Sequence, residues 1–149
     1  MVSISTKQKC QSLQPEQIKT LVIDDDYIIL SLLEMILQSV GIEKIDVAED
    51  GTKAISMLYD ANPPYDLVLC DMNMPLKNGL EVHSAMRANE HCADAFFMLV
   101  TAVTEAQLEA INSGVNGYIA KPIEREMLIK KIAQQFPAIH VDNPANENA

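Results

Sequence analysis

The sequence lacks the features that mark membrane, secreted and disulfide-rich proteins. It has no tryptophan, only three cysteines, and no apolar run approaching the roughly 20 residues that a helix needs to cross a bilayer. The first residues lack the order of charged, apolar and small side chains found in a signal peptide. The cysteines have no CxxC spacing and are odd in number, which predicts reduced thiols. We therefore expect a cytoplasmic protein with no membrane partner.

Positive charge is also scarce. Lys and Arg total 11 against 21 Asp and Glu, which gives a net charge of −10. The excess of acid falls within residues 20–136, so this part of the chain is poorly suited to binding phosphate backbones, and we expect no direct nucleic-acid partner. Neither a GxGxxG sequence nor a P-loop is present, which disfavours a nucleotide-binding domain. The histidines have no ligand spacing that predicts a transition-metal site.

Short apolar runs alternate with segments of helical periodicity, and no internal repeat is visible. The runs predict strands at 20–23, 67–70, 95–100 and 118–120, and the alternation of Ile45 and Val47 with polar residues predicts another, an edge strand, at 44–48. Helices are predicted at about 29–40, 54–58, 79–89, 106–111 and 123–136. This alternation predicts an α/β fold, a parallel sheet with helices on both faces and right-handed crossovers.

The flanking segments have a different composition from the predicted domain. Residues 1–18 are rich in Ser, Gln and Lys, and we interpret them as a flexible N-terminal arm with a helical turn near Pro15. Residues 19–136 form the predicted domain. Residues 137–149 are interpreted as a tail or linker, because Pro, Asn and acidic residues dominate them.

Side chains capable of chemistry follow four of the five predicted strands. They are Asp24 and Asp25 after the first strand, Asp71 after the third, Thr101 after the fourth and Lys121 after the fifth. The carboxyl ends of parallel strands share one edge of the sheet, where ligands bind in open α/β folds. Two carboxylates about 4 Å apart repel by roughly 4 kcal/mol at an effective dielectric constant of about 20, so three require protonation or a cation.

The oxygen ligands favour Mg²⁺ as that cation. Asp71 ends the apolar run Leu67–Cys70, and we interpret it as a nucleophile that accepts a phosphoryl group. Each residue also has a structural interpretation. An acidic run is typical of a helix N-terminus, and Asp26 fits that role. Lys121 and Thr101 taken alone are compatible with a surface lysine and a strand-end residue.

The chain resembles the response-regulator receiver domains of bacterial two-component signalling. The resemblance covers residues 19–136, and its elements follow the family's order. They are Ile23-Asp24-Asp25, Asp71 through Pro75, Asn78-Gly79, Val100-Thr101-Ala102 and Gly117-Tyr118 through Lys121-Pro122. It implies a flavodoxin-like, doubly wound sheet of five parallel strands in the order 2-1-3-4-5, with helices on both faces.

The resemblance also implies the metal ligands and the phosphorylated residue. Asp71 would be the phospho-acceptor. Asp24, Asp25 and Asp71 would hold Mg²⁺, Asp24 largely through water, and the backbone carbonyl of Asn73 would complete the protein ligands.

The remaining matched residues have roles in contacting the phosphoryl group and in switching. By resemblance, Lys121 and Thr101 contact the phosphoryl oxygens, and Tyr118 is an aromatic switch whose ring turns inward when Thr101 moves. The Lys121-Pro122 peptide bond is expected to be cis. The face formed by 106–113, Tyr118 and 125–131 is the expected docking surface.

The function implied is that of a phosphorelay switch and not of an enzyme with an external substrate. The donor would be a sensor histidine kinase or a phosphotransfer protein. The response would pass to a downstream protein target or to an attached output domain, with the chain as a monomer or a phosphorylation-dependent dimer. Two departures from the family pattern are Asn78, where Asp is usual, and the apolar Val103, which bears on the lifetime of the phosphorylated form.

Two other functions remain open at this point. A Mg²⁺-dependent phosphatase working through an aspartyl phosphate typically needs a second acid two residues after the nucleophile, and Asn73 occupies that position. A receiver-like module that binds partners without phosphorylation would not need the complete set of acids.

Overall fold

The fold is a five-stranded parallel sheet between two layers of helices. The computed structural model describes residues 10, 12–102, 104 and 114–141. The strands are Lys19–Ile23 (β1), Lys44–Ala48 (β2), Leu67–Cys70 (β3), Phe96–Thr101 (β4) and Gly117–Ala120 (β5). Their order in the sheet is β2-β1-β3-β4-β5, and each neighbouring pair is parallel. The predicted fold class and strand order are therefore confirmed.

Four α-helices lie within the described residues. They are Tyr27–Ser39 (α1), Gly51–Asp60 (α2), Gly79–Ala88 (α3) and Arg125–Gln135 (α4), and a 3₁₀ turn at Pro15–Gln17 precedes β1. The helix predicted at 106–111 lies outside the described residues. No helix in the described part of the chain is both long enough and apolar enough to span a bilayer.

The sheet separates two apolar clusters, one on each face. Leu33 of α1 and Ile132 of α4 belong to one cluster, and Leu58 of α2 and Val82 of α3 belong to the other. β3 lies at the centre, and all four of its residues are buried, as its uninterrupted apolar run predicts. Because both faces are covered, the ends of the strands are the parts of the sheet left open for binding.

Polar side chains fix the beginnings of three helices. Asp26 accepts a hydrogen bond from the Ile28 N–H, and Asp50 accepts one from the Lys53 N–H. Asn78 forms a reciprocal capping box with Glu81 at the start of α3. The predicted capping role of Asp26 is confirmed, so this acid belongs to α1 and is distinct from Asp24 and Asp25.

The core extends past the predicted domain boundaries. Cys10 and Ile18 before β1, and Ile139 after α4, are buried in the cluster on the α1 and α4 side. The domain boundaries at 19 and 136 stay predictions, and the buried side chains on either side of them belong to the same core. The three cysteines form no disulfide in the described part of the chain, and each is buried.

Candidate functional site

Two buried aspartates lie side by side at the carboxyl edge of the sheet. Hydrogen bonding continues one residue beyond the strands, since the Asp24 N–H donates to the Ala48 carbonyl at 3.1 Å. The Asp71 N–H likewise donates to the Ile23 carbonyl at 2.9 Å. The side chains of Asp24 and Asp71 are 1% and 8% exposed. The parallel register therefore brings two carboxylates together in a position almost closed to solvent.

Lys121 contacts both carboxylates. Its Nζ lies 3.0 Å from Oδ2 of Asp24 and 3.3 Å from Oδ1 of Asp71. Asp25 is exposed at the mouth of the same site, and ligand oxygens of Asp24, Asp25 and Asp71 all lie within 4.8 Å of one another. We call these three residues the acidic pocket. The structure thus brings together four of the predicted site residues, although their individual roles stay predictions.

The charges of the acidic pocket are not balanced. Burial raises the pKa of the Asp71 carboxyl, and the neighbouring Asp24 raises it further, while Lys121 and the Asn73 backbone N–H act in the opposite direction. Burial alone would lower the pKa of Lys121, but its contacts with Asp24 and Asp71 outweigh this and raise it overall. One ammonium is therefore shared by Asp24 and Asp71, with the third carboxylate, Asp25, close by, and this excess of negative charge favours binding of a further cation.

Cys70 precedes Asp71 in the sequence and is buried beside it. Burial, followed by the charges of Asp71 and Asp24, raises the pKa of its thiol well above the usual value. The Sγ donates to the Asp71 backbone carbonyl at 3.2 Å. The thiol therefore stays protonated and packs as a small apolar residue, as the sequence predicts.

The pairing of β4 with β5 places Thr101 next to Lys121 at the carboxyl edge of the sheet. Thr101 is fully buried at the end of β4, and its carbonyl accepts the Lys121 N–H at 2.8 Å. The Lys121-Pro122 peptide bond is cis, as expected. Tyr118 lies half-buried on β5. Asn73 contacts Asp71 through its N–H, whereas the placement of its carbonyl on a metal remains a prediction.

Gly79 is a structural requirement of the site that the sequence pattern did not reveal. A Cβ at this position would lie 2.5 Å from the Asp71 carbonyl oxygen and 2.9 Å from Cδ2 of Leu99. The Gly79 N–H also donates to the Met72 carbonyl at 2.9 Å. The start of α3 therefore packs directly on the backbone of the central aspartate, which only glycine permits. Asn-Gly read alone indicates only a turn.

Comparison with known proteins decides the family. The sequence profile of the response regulator receiver domain matches residues 20–133. The chain belongs to this family. The resemblance seen in the sequence is therefore confirmed, and the acidic pocket is compatible with an aspartyl phosphate beside Mg²⁺.

Individual receivers are similar over nearly their whole length. The chain is 32% identical to the chemotaxis protein CheY of Pseudomonas aeruginosa, covering 82% of this chain and 98% of that protein. The solved CheY4 of Vibrio cholerae is 28% identical with a TM-score of 0.70, covering 78% of this chain and 97% of that one. A CheX–CheY complex of Borrelia burgdorferi with BeF3 and Mg²⁺ gives 25% identity and a TM-score of 0.72, covering 79% and 88%.

Proposed function

We propose that the chain is a phosphorylation-controlled switch of bacterial two-component signalling, located in the cytoplasm, with Asp71 as the phospho-acceptor. The observation that carries this proposal is the position of Asp71. It is a buried carboxylate of raised pKa at the carboxyl end of the central strand, with Asp24 and Lys121 on either side. The donor would be the phosphohistidine of a sensor kinase or a phosphotransfer protein.

The chemistry would occur at the Asp71 carboxylate. One of its oxygens attacks the phosphorus atom of the donor, an O–P bond forms, and the P–N bond to the donor histidine breaks with its electron pair returning to the imidazole. Lys121, 3.3 Å from Asp71, is placed to pair with the transferred phosphoryl oxygens. The Asp71 side chain is 8% exposed and Asp25 beside it is exposed, so the donor would approach from the side of Asp25.

The acidic pocket, with the Asn73 carbonyl, would hold Mg²⁺. Oxygen donors with room for water and phosphate are the ligands that this ion prefers. When bound, Mg²⁺ neutralises charge that develops on the transferring phosphoryl group. The raised pKa of Asp71 supports this fit, because burial and then the charge of Asp24 disfavour the ionised carboxylate, and a divalent cation would favour it.

The response would begin at Thr101 and Lys121. A phosphoryl group adds roughly two negative charges, which attract the Thr101 hydroxyl and the Lys121 ammonium. Tyr118 follows Thr101, and the surface of 106–113, Tyr118 and 125–131 changes its affinity for a target or an attached output domain. Converting a mostly inactive population to a mostly active one takes about 5.5 kcal/mol, which a few charge-assisted hydrogen bonds supply. The chain would act as a monomer or as a phosphorylation-dependent dimer.

Intact mass spectrometry tests the acceptor. Incubated with Mg²⁺ and acetyl phosphate, the wild type should gain one phosphoryl group, whereas Asp71→Asn should gain none. Asp66→Asn is a matched control, because Asp66 is also a buried aspartate but lies at the other end of β3. Equal labelling of Asp71→Asn, or no labelling of the wild type, would contradict the proposal.

We further infer that the catalysis is confined to the chain's own phosphorylation and dephosphorylation. Asn73 stands where an aspartyl-phosphate phosphatase typically has its second acid. Multiple turnovers of a small phosphoester by the purified protein, abolished in Asp71→Asn, would overturn this inference.

A further inference from the structure

A lysine of the last helix contacts Tyr118 in two ways. Lys131 Nζ donates a hydrogen bond of 2.7 Å to the Tyr118 backbone carbonyl. The same ammonium lies 4.5 Å from the centroid of the Tyr118 ring. Both distances are within the range of a good hydrogen bond and of a cation–π contact. A single charged group therefore holds the backbone and the ring of one residue.

Lys131 of α4 meets Tyr118 at the unpaired edge of β5. α4 packs through Leu128 and Ile132 into the cluster on its own face, whereas Tyr118 packs with the cluster on the opposite face. β5 is an edge strand. Since the Lys121 N–H faces β4, strand alternation directs the Tyr118 carbonyl away from β4, towards the open edge. Lys131 satisfies this carbonyl there.

The position of the ammonium determines where the ring leans. The Tyr118 ring lies 4.5 Å from an ammonium that is bound to the Tyr118 carbonyl at the open edge of β5, whereas Thr101 lies in β4, which pairs with the other edge of β5. If the ring turns towards Thr101, it leaves the ammonium. The hydrogen bond to the carbonyl does not depend on the ring, so Lys131 remains at the edge in both cases.

We propose that Lys131, on α4, is a positioning residue that holds the Tyr118 ring at the open edge. The proposal rests on the function proposed above for the role of Tyr118 as a switch. It adds a second contact on the ring, which opposes the inward movement. A lysine that only shields an edge strand would stabilise the fold without affecting the response to phosphorylation.

The expected size follows from the strength of a cation–π contact. At a partly exposed site, losing this contact changes an equilibrium by about threefold. Because ring position and occupancy of the acidic pocket are coupled in the proposed function, linkage transfers the same factor to the pocket. Without Lys131, no cation–π contact holds the Tyr118 ring at the edge, so the ring turns inward more readily. An acyl-phosphate mimic should therefore bind about threefold more tightly.

Fluorine NMR of protein labelled with 3-fluorotyrosine measures both quantities. The chain has four tyrosines, and Tyr118→Phe identifies the resonance of interest. Beryllofluoride is titrated at saturating Mg²⁺ into the wild type, Lys131→Gln, Lys131→Arg and Lys130→Gln. Lys130 is the adjacent, exposed lysine and serves as the matched control.

The proposal expects a midpoint about threefold lower in Lys131→Gln, a midpoint near wild type in Lys131→Arg, and no change in Lys130→Gln. The Tyr118 resonance of unliganded Lys131→Gln should also move towards its beryllofluoride-bound position. An unchanged or raised midpoint in Lys131→Gln would overturn the proposal.

The two proposals fail separately. If Asp71 is phosphorylated but the Lys131→Gln midpoint equals that of Lys130→Gln, only the role of Lys131 is lost. If Asp71 accepts no phosphoryl group and beryllofluoride does not move the Tyr118 resonance, the proposed function fails, and this proposal fails with it. Urea unfolding of each variant checks that the comparison is made on folded protein.

Discussion

The two ends of the sheet differ in how fully their polar side chains are paired. At the carboxyl end, Asp24 and Asp71 share one lysine and repel each other, and the pKa of Asp71 is raised. At the amino end, Arg87 of α3 donates to the carbonyls of Ala93 and Ala95 just before β4. It also donates to the side-chain oxygen of Asn116 just before β5.

The contacts of Arg87 continue into the core. Its Nε donates to Nε2 of His83 at 3.2 Å, and the His83 ring packs against Phe97 with centroids 4.9 Å apart. The Asn116 oxygen also accepts the Phe97 N–H at 2.8 Å. We call Arg87, His83 and Asn116 the arginine network. In the arginine network one cation donates to neutral acceptors. In the acidic pocket, by contrast, the negative charges outnumber the one cation.

The amino end of the sheet therefore serves stability, and the carboxyl end serves function. The paired groups of the arginine network hold α3, β4 and β5 in place. The acidic pocket at the other end is costly when empty of cations, because its charges are arranged for a ligand and not for one another. The two ends should therefore respond oppositely to mutation.

The largest expected effect is a loss of stability at the amino end. Arg87→Met leaves the Ala93 and Ala95 carbonyls and His83 Nε2 without the Arg87 donor and removes one of the two donors to Asn116, and we expect it to lower the free energy of unfolding by about 3 kcal/mol. Lys130→Met, on an exposed position, should change it by less than about 0.5 kcal/mol. Urea denaturation measures both. Equal stability of the two variants would remove the contrast between the ends of the sheet.

A smaller loss is expected where α3 packs on Asp71. Gly79→Ala forces the Asp71 backbone or the helix to shift, and we expect a loss of about 2 kcal/mol together with slower phosphoryl acceptance. At Gly117 the nearest atom to an added Cβ among the described residues is Met98 Cγ, at 3.6 Å, an ordinary contact, so Gly117→Ala is the matched control. Its stability and its rate of phosphorylation should both stay near wild type. A Gly79→Ala protein phosphorylated at the wild-type rate would contradict the packing argument.

The two ends should also respond to pH with opposite signs. Burial, and then the charge of Arg87, lowers the pKa of His83 below its usual value of 6.5. The unfolded chain therefore binds a proton first, and stability from His83 is lost as the pH falls below about 6.5, by at most about 1.4 kcal/mol per unit. For Asp71, whose pKa is raised, the charged form is disfavoured in the fold, so stability is lost as the pH rises above about 4.

Unfolding curves at pH 7 and pH 5.5 isolate the contribution of His83. The wild type should lose more stability on this change than His83→Gln, by up to about 1 kcal/mol, because the Gln amide oxygen can still accept from Arg87 but does not titrate. His140→Gln, which alters an exposed histidine, should behave like the wild type. If His83→Gln lost as much stability as the wild type between pH 7 and pH 5.5, the pH dependence would come from a group other than His83.

The sequence was most informative where local patterns and the parallel topology agree. The bounds of β2 and β3 were predicted as observed, because β2 alternates apolar with polar residues and β3 is an uninterrupted apolar run. The meeting of Asp24, Asp71 and Lys121 followed from a single rule, that parallel strands share their carboxyl edge. The predicted roles of Thr101, Tyr118 and the Asn73 carbonyl came from the family resemblance and remain to be measured.

The rest depends on contacts between distant residues. Arg87 reads as a surface residue at the end of a helix, and its acceptor Asn116 is 29 positions away. Lys131 reads as one of two adjacent lysines, and only the packing of α4 beside the edge strand distinguishes it from Lys130. Similarly, Cys10 and Ile139 are isolated apolar residues in polar segments, so composition alone predicted no place for them in the core.

Stability measured with and without Mg²⁺ tests the central contrast most directly. Because Asp71→Asn removes one of the repelling charges, we expect the variant to be more stable than the wild type by about 1 kcal/mol without Mg²⁺. Saturating Mg²⁺ should stabilise the wild type by more than the variant and so narrow or reverse this order. A variant that is less stable without Mg²⁺, or an equal gain in both proteins, would contradict the view that the acidic pocket is arranged for a cation.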